Sequence, residues 1–274
     1  MLGALIIVFR EVLEAGLIVG IVLAATRGVV GRGRWVTIGI GGGVLGATIV
    51  AAFAGVISEA FQGAGQELFN ASVLGVAVVM LMWHNAWMAR HGRAIAAQMR
   101  QVGTAVSEGA KPLTALAIVV GLAVLREGSE VVLFLYGILA SGTSGSALLL
   151  GGVLGVAAGA VFTALTYFGL LAIPSRYIFS VTTWLIALLA AGMAAQSVQF
   201  LNNGGILVAL DRTVWDTSWI LSDGSLLGRL LHALIGYTER PTEMQLAVYI
   251  ATLLAMALLM RLARYSPRER EAAV

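Results

Sequence analysis

Long apolar runs broken by short polar stretches set the pattern of this chain. Seven runs reach the roughly 20 residues that a helix needs to cross a bilayer's hydrocarbon core. They are Leu2–Thr26, Trp35–Ile57, Leu68–Met88, Leu113–Ala140, Ala147–Ile173, Ile178–Leu201 and Met244–Leu262. The expected fold is therefore all-α and polytopic: one membrane domain with seven transmembrane helices. Between the sixth and seventh runs lies a long polar segment, 202–243. Its stretch Leu226–Ile235 has an amphipathic pattern, which reads either as a short helix lying on the membrane or as part of an ordered loop capping one face. Trp215 and Trp219 read as interface anchors.

Composition agrees with this reading. The 274 residues are 59% hydrophobic and only 11% charged, where a soluble domain carries about 25% charged residues, and the mean hydropathy is +0.93. The 34 glycines fit close helix contacts in lipid. Cysteine is absent, which excludes disulfides, iron–sulfur clusters and thiolate metal sites. With only His84, His91 and His232 for imidazole, a metal site is expected to use oxygen. Met1–Phe9 has no basic n-region and the first apolar run continues past it, so the first segment is expected to be retained.

Charge fixes an expected orientation. Twelve of the 17 basic residues fall on one side, in the first, third and fifth loops, at Arg261 near the end of the last run and in the C-terminal tail 263–274. By the positive-inside rule that side is cytoplasmic and the N-terminus is outside, in a cell membrane. The pI of about 9.6 does not point to nucleic acid, because most basic residues lie in short loops.

Three helices are used twice. Val8–Ala24 aligns with Val124–Ala140 at an offset of 116, with 7 identities in 17 positions, and Gly42-Gly43-Val44-Leu45-Gly46 recurs as Gly151-Gly152-Val153-Leu154-Gly155 at an offset of 109. An odd number of helices per repeat forces opposite orientations, so the expectation is a 3+3 inverted repeat, about 1–90 and 112–201. The additional C-terminal helix, 244–262, is left over. In such folds the site lies at the repeat interface near the midplane.

The repeated helices carry the candidate chemistry. Arg10-Glu11-Val12-Leu13-Glu14 and Arg126-Glu127-Gly128-Ser129-Glu130 both read Arg-Glu-x-x-Glu, and both fall near the middle of an apolar run. A charge at that depth costs at least several kcal/mol, and such residues are usually functional. At helical spacing each motif's three charges fall within an arc of about 100°. If the stripes face each other, four carboxylates and two guanidiniums share one volume with a formal charge of −2. Arg10 and Arg126 keep some carboxylates ionised without filling all their lone pairs. Oxygen ligation of this kind suits a hard di- or trivalent cation. The same residues could instead form a salt-bridge cluster that only fixes helix packing, although small residues and hydroxyls do that more cheaply. Glu59, Glu67 and Asp216 are candidate entrance residues, and His84 with Asn85 a candidate exit. For these, solvated loop charges and a hydrogen-bonded interfacial pair are the plainer accounts, and Asp211 and Asp223 read the same way.

With these motifs the chain resembles the oxidase-dependent iron permease family, whose hallmark is an Arg-Glu-Gly-Leu-Glu motif in each of the first and fourth spans. Each motif here departs at one uncharged position and keeps every charged one. Trp215-Asp216-Thr217-Ser218-Trp219 and Leu231-His232-Ala233-Leu234-Ile235-Gly236-Tyr237 also resemble the segment before the last span in bacterial members. The resemblance implies a permease rather than an enzyme, with Glu11, Glu14, Glu127 and Glu130 as metal-binding residues. It implies iron, as ferric iron, as transported substrate rather than cofactor, and a separate iron-oxidising or iron-delivering extracytoplasmic partner. A permease for another heavy metal such as lead and a membrane-embedded di-iron carboxylate oxidase are the alternatives. The oxidase pattern Glu-x-x-His is absent from both motifs.

Overall fold

A computed structural model describes residues 1–60, 66–169, 175–207 and 209–264. The described residues form eight helices: α1 (Leu2–Ala25), α2 (Arg32–Ala60), α3 (Gln66–Ser107), α4 (Thr114–Ala140), α5 (Gly145–Tyr167), α6 (Ser175–Asn203), α7 (Leu226–Ile235) and α8 (Glu243–Arg264). Five of them, α2, α3, α5, α6 and α8, contain segments long and apolar enough to cross a membrane. In α1 and α4 the Arg-Glu-x-x-Glu charges interrupt the apolar run. The tail beyond Arg264 lies outside the described residues.

The helix bounds follow the apolar runs closely except at α3. Its expected span ends at Met88, but the helix continues to Ser107 and takes Arg90 and Arg100 with it, residues expected in a loop. Ala, Gln, Met and Arg are strong helix formers, and no proline interrupts before Pro112. The chain turns only at Gly109, whose φ of 76° suits glycine. The 42 residues span about 63 Å at 1.5 Å per residue, twice a hydrocarbon core. α5 ends earlier than expected, at Tyr167, where Gly169 takes a φ of 72°.

α1 and α4 run antiparallel through the centre. One apolar cluster joins the start of α1 (Ala4, Ile7) to the end of α4 (Phe134, Ile138) and to facing residues of α3 and α6. A second joins the end of α1 (Val22) to the start of α4 (Leu116, Val120), with Val36 and Val106. Around this pair α1 packs most closely on α5 and α4 on α2, while α3 lies along α6. Ser197 Oγ donates to the Ala71 carbonyl at 2.8 Å across that last contact.

Glycines let the backbones touch. A Cβ built on Gly43 would lie 2.8 Å from the Gly121 carbonyl and 2.7 Å from Val124 Cβ; one built on Gly155 would lie 2.8 Å from the Leu5 carbonyl and 2.8 Å from Val8 Cβ. Gly39 and Gly151 meet the preceding turns, at Ala117 and at Met1 and Ala4. Since Leu5 and Val8 correspond to Gly121 and Val124 at the 116 offset, Gly43 corresponds to Gly155, 112 positions on. The Gly-Gly-Val-Leu-Gly identity at 109 therefore gives the wrong register. The contacts follow small residues at every fourth position, Gly39-Gly43-Ala47 and Gly151-Gly155-Gly159, because that spacing keeps them on one helix face.

The segment 209–243 is ordered. Ser225 caps α7, accepting from the Gly228 N–H at 2.9 Å, and Gly236 closes it with a φ of 69°. Gly236 sits against Gly192 of α6, and Tyr249 Oη donates to the Ile235 carbonyl at 2.7 Å. Trp219 is fully in the open.

Gly43→Val and Gly155→Val should each destabilise the fold by about 1–3 kcal/mol through overpacking against backbone. Gly42→Ala and Gly152→Ala, with nothing within 4 Å, should be neutral. Thermal midpoints of the purified variants in detergent check this; equal midpoints across all four would refute the register.

Candidate metal site

Between the two apolar clusters lies a layer of ionisable side chains. Each motif closes on itself along its own helix turn: Arg10 Nε donates to Glu14 Oε1 at 2.9 Å, and Arg126 Nε donates to Glu130 Oε1 at 3.2 Å. Antiparallel packing of α1 on α4 brings the two stripes together, as the spacing predicts. Donor atoms of Glu11, Glu127 and Glu130 lie within 4.8 Å of one another and of His84.

His84 is the residue that the sequence reading misplaced. Expected at an exit, or in an interfacial pair with Asn85, it stands inside the carboxylate layer. Its Nδ1 lies against Glu130 Oε2. Its Nε2 is 3.7 Å from Glu11 Oε2 and 3.5 Å from Glu14 Oε2. Position 84 is 18 residues beyond Gln66, the first residue of α3, and a helix packed against both α1 and α4 can deliver a side chain to the seam between them. The motifs themselves hold no histidine, so only this packing reveals it. The one available signal was a polar pair, His84-Asn85, in an otherwise apolar run.

Burial is deep and uneven. Arg10, Glu11, Glu14, His84 and Glu127 are all less than 5% exposed. The Arg126 side chain is 36% exposed and lies over the Trp87 ring, 4.1 Å from its centroid, a cation–π contact. Arg126 and Glu130 line a cleft of about 520 Å³ with Trp83, His84 and Trp87. Both oxygens of Glu11 and one each on Glu14 and Glu127 are buried with no hydrogen-bond partner. Native structures keep such orphans rare, because each forfeits its hydration without return. Open lone pairs on Glu11 and Glu127, grouped with Glu130 and His84, are a donor set that could hold a cation.

Two further cavities lie at opposite ends of the α1–α4 pair. One, of about 260 Å³, sits at the C-terminal end of α1 against α5 and is lined by Gly16, Gly20, Thr163 and Thr166. The other, of about 650 Å³, sits at the C-terminal end of α4 and is lined by Asn70, Ser72, Tyr136 and Gly142.

The remaining candidates do not join the site. Asp216 accepts from Ser218 and pairs with Arg240 at 3.0 Å. Those Ser218 hydrogen bonds, with Arg240, hold its carboxyl down at about 2. Asp223 binds the Glu239 N–H, and Asp211 accepts from Asn202. Glu67 lies half-buried beside Gly204, and the Glu59 side chain is outside the described residues. Asn85 is buried with both amide atoms unpaired. His91 stacks on Trp87, and His232 contacts the Tyr237 carbonyl.

Residues 1–267 match the model of the iron permease FTR1 family. The chain belongs to that family. It is 33% identical over 256 residues, covering 91% of each chain, to the ferrous iron permease EfeU of Escherichia coli O6:H1. The EfeU of Shigella sonnei is 33% identical over 261 residues, 92% of this chain and 94% of its own. No solved structure matches. Family membership agrees with the resemblance carried by the two motifs, and it covers the helices that supply every residue of the charged layer.

The geometry distinguishes the two arginines. Arg10→Lys should lower metal affinity about tenfold or more, because a point charge cannot hold the buried Glu14 as a planar fork does. Arg126→Lys should lose less, since its head group also reaches the cleft and rests on Trp87. Metal titration of the purified variants measures both, and wild-type affinity in Arg10→Lys would contradict the argument.

Proposed function

We propose that this chain carries iron ions across a cell membrane, binding them between its two Arg-Glu-x-x-Glu motifs. The observation that carries the reading is the buried layer of four carboxylates, with unpaired oxygens, at the seam of the two charged helices. Membership of an iron permease family supplies the cargo. The expectation of ferric iron stands beside relatives named for ferrous iron, so oxidation state is the first quantity the experiment separates. Glu11, Glu14, Glu127 and Glu130 present the cargo with negative charge. Arg10 and Arg126 reduce that charge so that a bound cation can leave. A separate iron-oxidising or iron-delivering protein remains part of this reading.

In this reading all eight helices except the short α7 cross the bilayer, α1 and α4 included. The charges of those two are sheltered from lipid by packing rather than removed from it. The N-terminus lies outside. α1–α3 and α4–α6 form inverted repeats, with α8 peripheral. The packing pattern supports the repeat: exchanging α1 with α4 and α2 with α5 turns the α1–α5 contact into the α4–α2 contact, and α3–α6 maps onto itself. One cavity lies at each end of the pair, and the proposed path leads from the cavity at Tyr136, outside, through the carboxylates to the one at Gly20, inside. A di-iron oxidase is less well supported, since such sites draw Glu-x-x-His from each of two helices and a single histidine stands among the described carboxylates.

In proteoliposomes offered ferrous and ferric iron separately, wild-type protein should take up one form. Glu11→Ala, Glu14→Ala and Glu127→Ala should each nearly abolish that uptake while still inserting. Normal uptake by any two of them would end the shared-site model.

Access can be tested on the cysteine-free background. Tyr136→Cys should react with an impermeant thiol reagent from outside and Gly20→Cys from inside; a Cβ at Gly20 meets only the edge of Tyr167, at 3.9 Å. Labelling of both from one side would refute the inverted path.

A further inference from the structure

We infer that His84 is a direct ligand of the transported ion through Nε2 and that Glu130 is the positioning residue holding its ring. This deepens the proposed function and rests on the carboxylate layer binding iron.

The two faces of the imidazole ring are used differently. Nδ1 is taken by Glu130, on α4. Nε2 points between Glu11 and Glu14, on α1, at 3.7 and 3.5 Å. Those separations exceed an ordinary N–H···O hydrogen bond. Two donors bound at about 2.1 Å to one first-row ion, at roughly 90–120°, lie about 3.0–3.6 Å apart; the Glu14 separation falls in that range and the Glu11 separation just beyond it. Both ring nitrogens are buried with no hydrogen-bond partner, as are Glu130 Oε2 beside Nδ1 and Glu11 Oε2 and Glu14 Oε2 facing Nε2. Nδ1 is in contact with its one carboxylate, whereas Nε2 stands back from two.

The arrangement at Nδ1 has a physical role. A metal-bound histidine commonly gives its other ring N–H to a carboxylate, which fixes the tautomer and turns the ring toward the metal. Glu130 stands where that carboxylate belongs, and Arg126 Nε donates to the other oxygen of the same group. Phe134, one turn further along α4, contacts the ring edge-on with centroids 6.4 Å apart. The ring is thus located by α4 while its free nitrogen serves α1. One ion at Nε2 would tie both motifs to α3.

Nitrogen changes which ion is preferred. Four carboxylates alone suit hard ions such as calcium, magnesium or ferric iron, whereas imidazole suits iron, nickel, copper and zinc in their divalent forms. A site with one imidazole among carboxylates selects ferrous iron over magnesium and calcium.

The test uses full-length protein in nanodiscs under anaerobic conditions, with Mn2+ as the spectroscopic probe and Fe2+ for transport. Pulsed EPR of bound Mn2+ should show the 14N coupling of one directly bound imidazole, and His84→Asn should remove it. Fe2+ uptake by His84→Asn should fall about tenfold or more, with less discrimination against Ca2+. Glu130→Gln, whose amide oxygen can still accept from Nδ1–H, should keep the 14N coupling and transport better than Glu130→Ala. Saturable Mn2+ binding in wild type without 14N coupling, or coupling that survives His84→Asn, overturns the assignment. If Glu11→Ala abolishes that binding, the carboxylate site still stands. Absence of saturable binding in wild type, or binding unaffected by Glu11→Ala, overturns both. The wild-type spectrum decides even if His84→Asn does not fold.

Discussion

Close approach of α1 to α4 is the constraint on which the structure depends. Each helix alone would carry two carboxylates and a guanidinium in the middle of an apolar run, where an unpaired charge is costly. Packed together, they place those groups in one layer closed at both ends by apolar clusters. The approach depends in turn on what lies behind each helix. Gly151, Gly155 and Gly159 seat α5 on α1, and Gly39 and Gly43 seat α2 on α4. A methyl group at these points would meet backbone rather than a movable side chain. Steric economy far from any charge therefore sets the geometry of the charged layer.

The two glycine-lined helix contacts resemble each other, and the charged centre between them is uneven. The α2–α4 and α5–α1 contacts match residue for residue, but Arg10 is sealed while Arg126 opens to a cleft under Trp87. The break comes from α3, which packs on both α1 and α4 and inserts His84 between the motifs. A symmetric site would offer an ion two equal halves. An imidazole held by one half and facing the other makes the halves unequal, with α4 orienting the nitrogen and α1 supplying the facing oxygens.

Order in the segment 209–243 follows from local polar bonds rather than from apolar burial. Asp216, Ser218 and Arg240 form one knot; Thr217, Leu221 and Tyr237 form another. Their carboxylates are engaged within the segment, so Asp216 acts as a tie and not as a free collector of cations. The capped α7 then rests on Gly192 through Gly236, where two glycines allow near contact of backbones.

Much of this protein was legible in the sequence, and the division is physical. Long helices could be read because they follow apolar runs of about 20 residues, and the motif charges because nothing else interrupts α1 and α4. Helical spacing alone put Glu11 with Glu14 and Glu127 with Glu130 on single faces. Local chemistry could not say how far α3 runs, since good helix formers continue equally well in water. Nor could it give the glycine register: identity of letters favoured 109, while contact required the period of a helix face. His84 belonged to neither motif, and a lone polar residue in an apolar helix carries no record of what it will meet. Its place in the charged layer was decided only when three helices from different parts of the chain packed side by side.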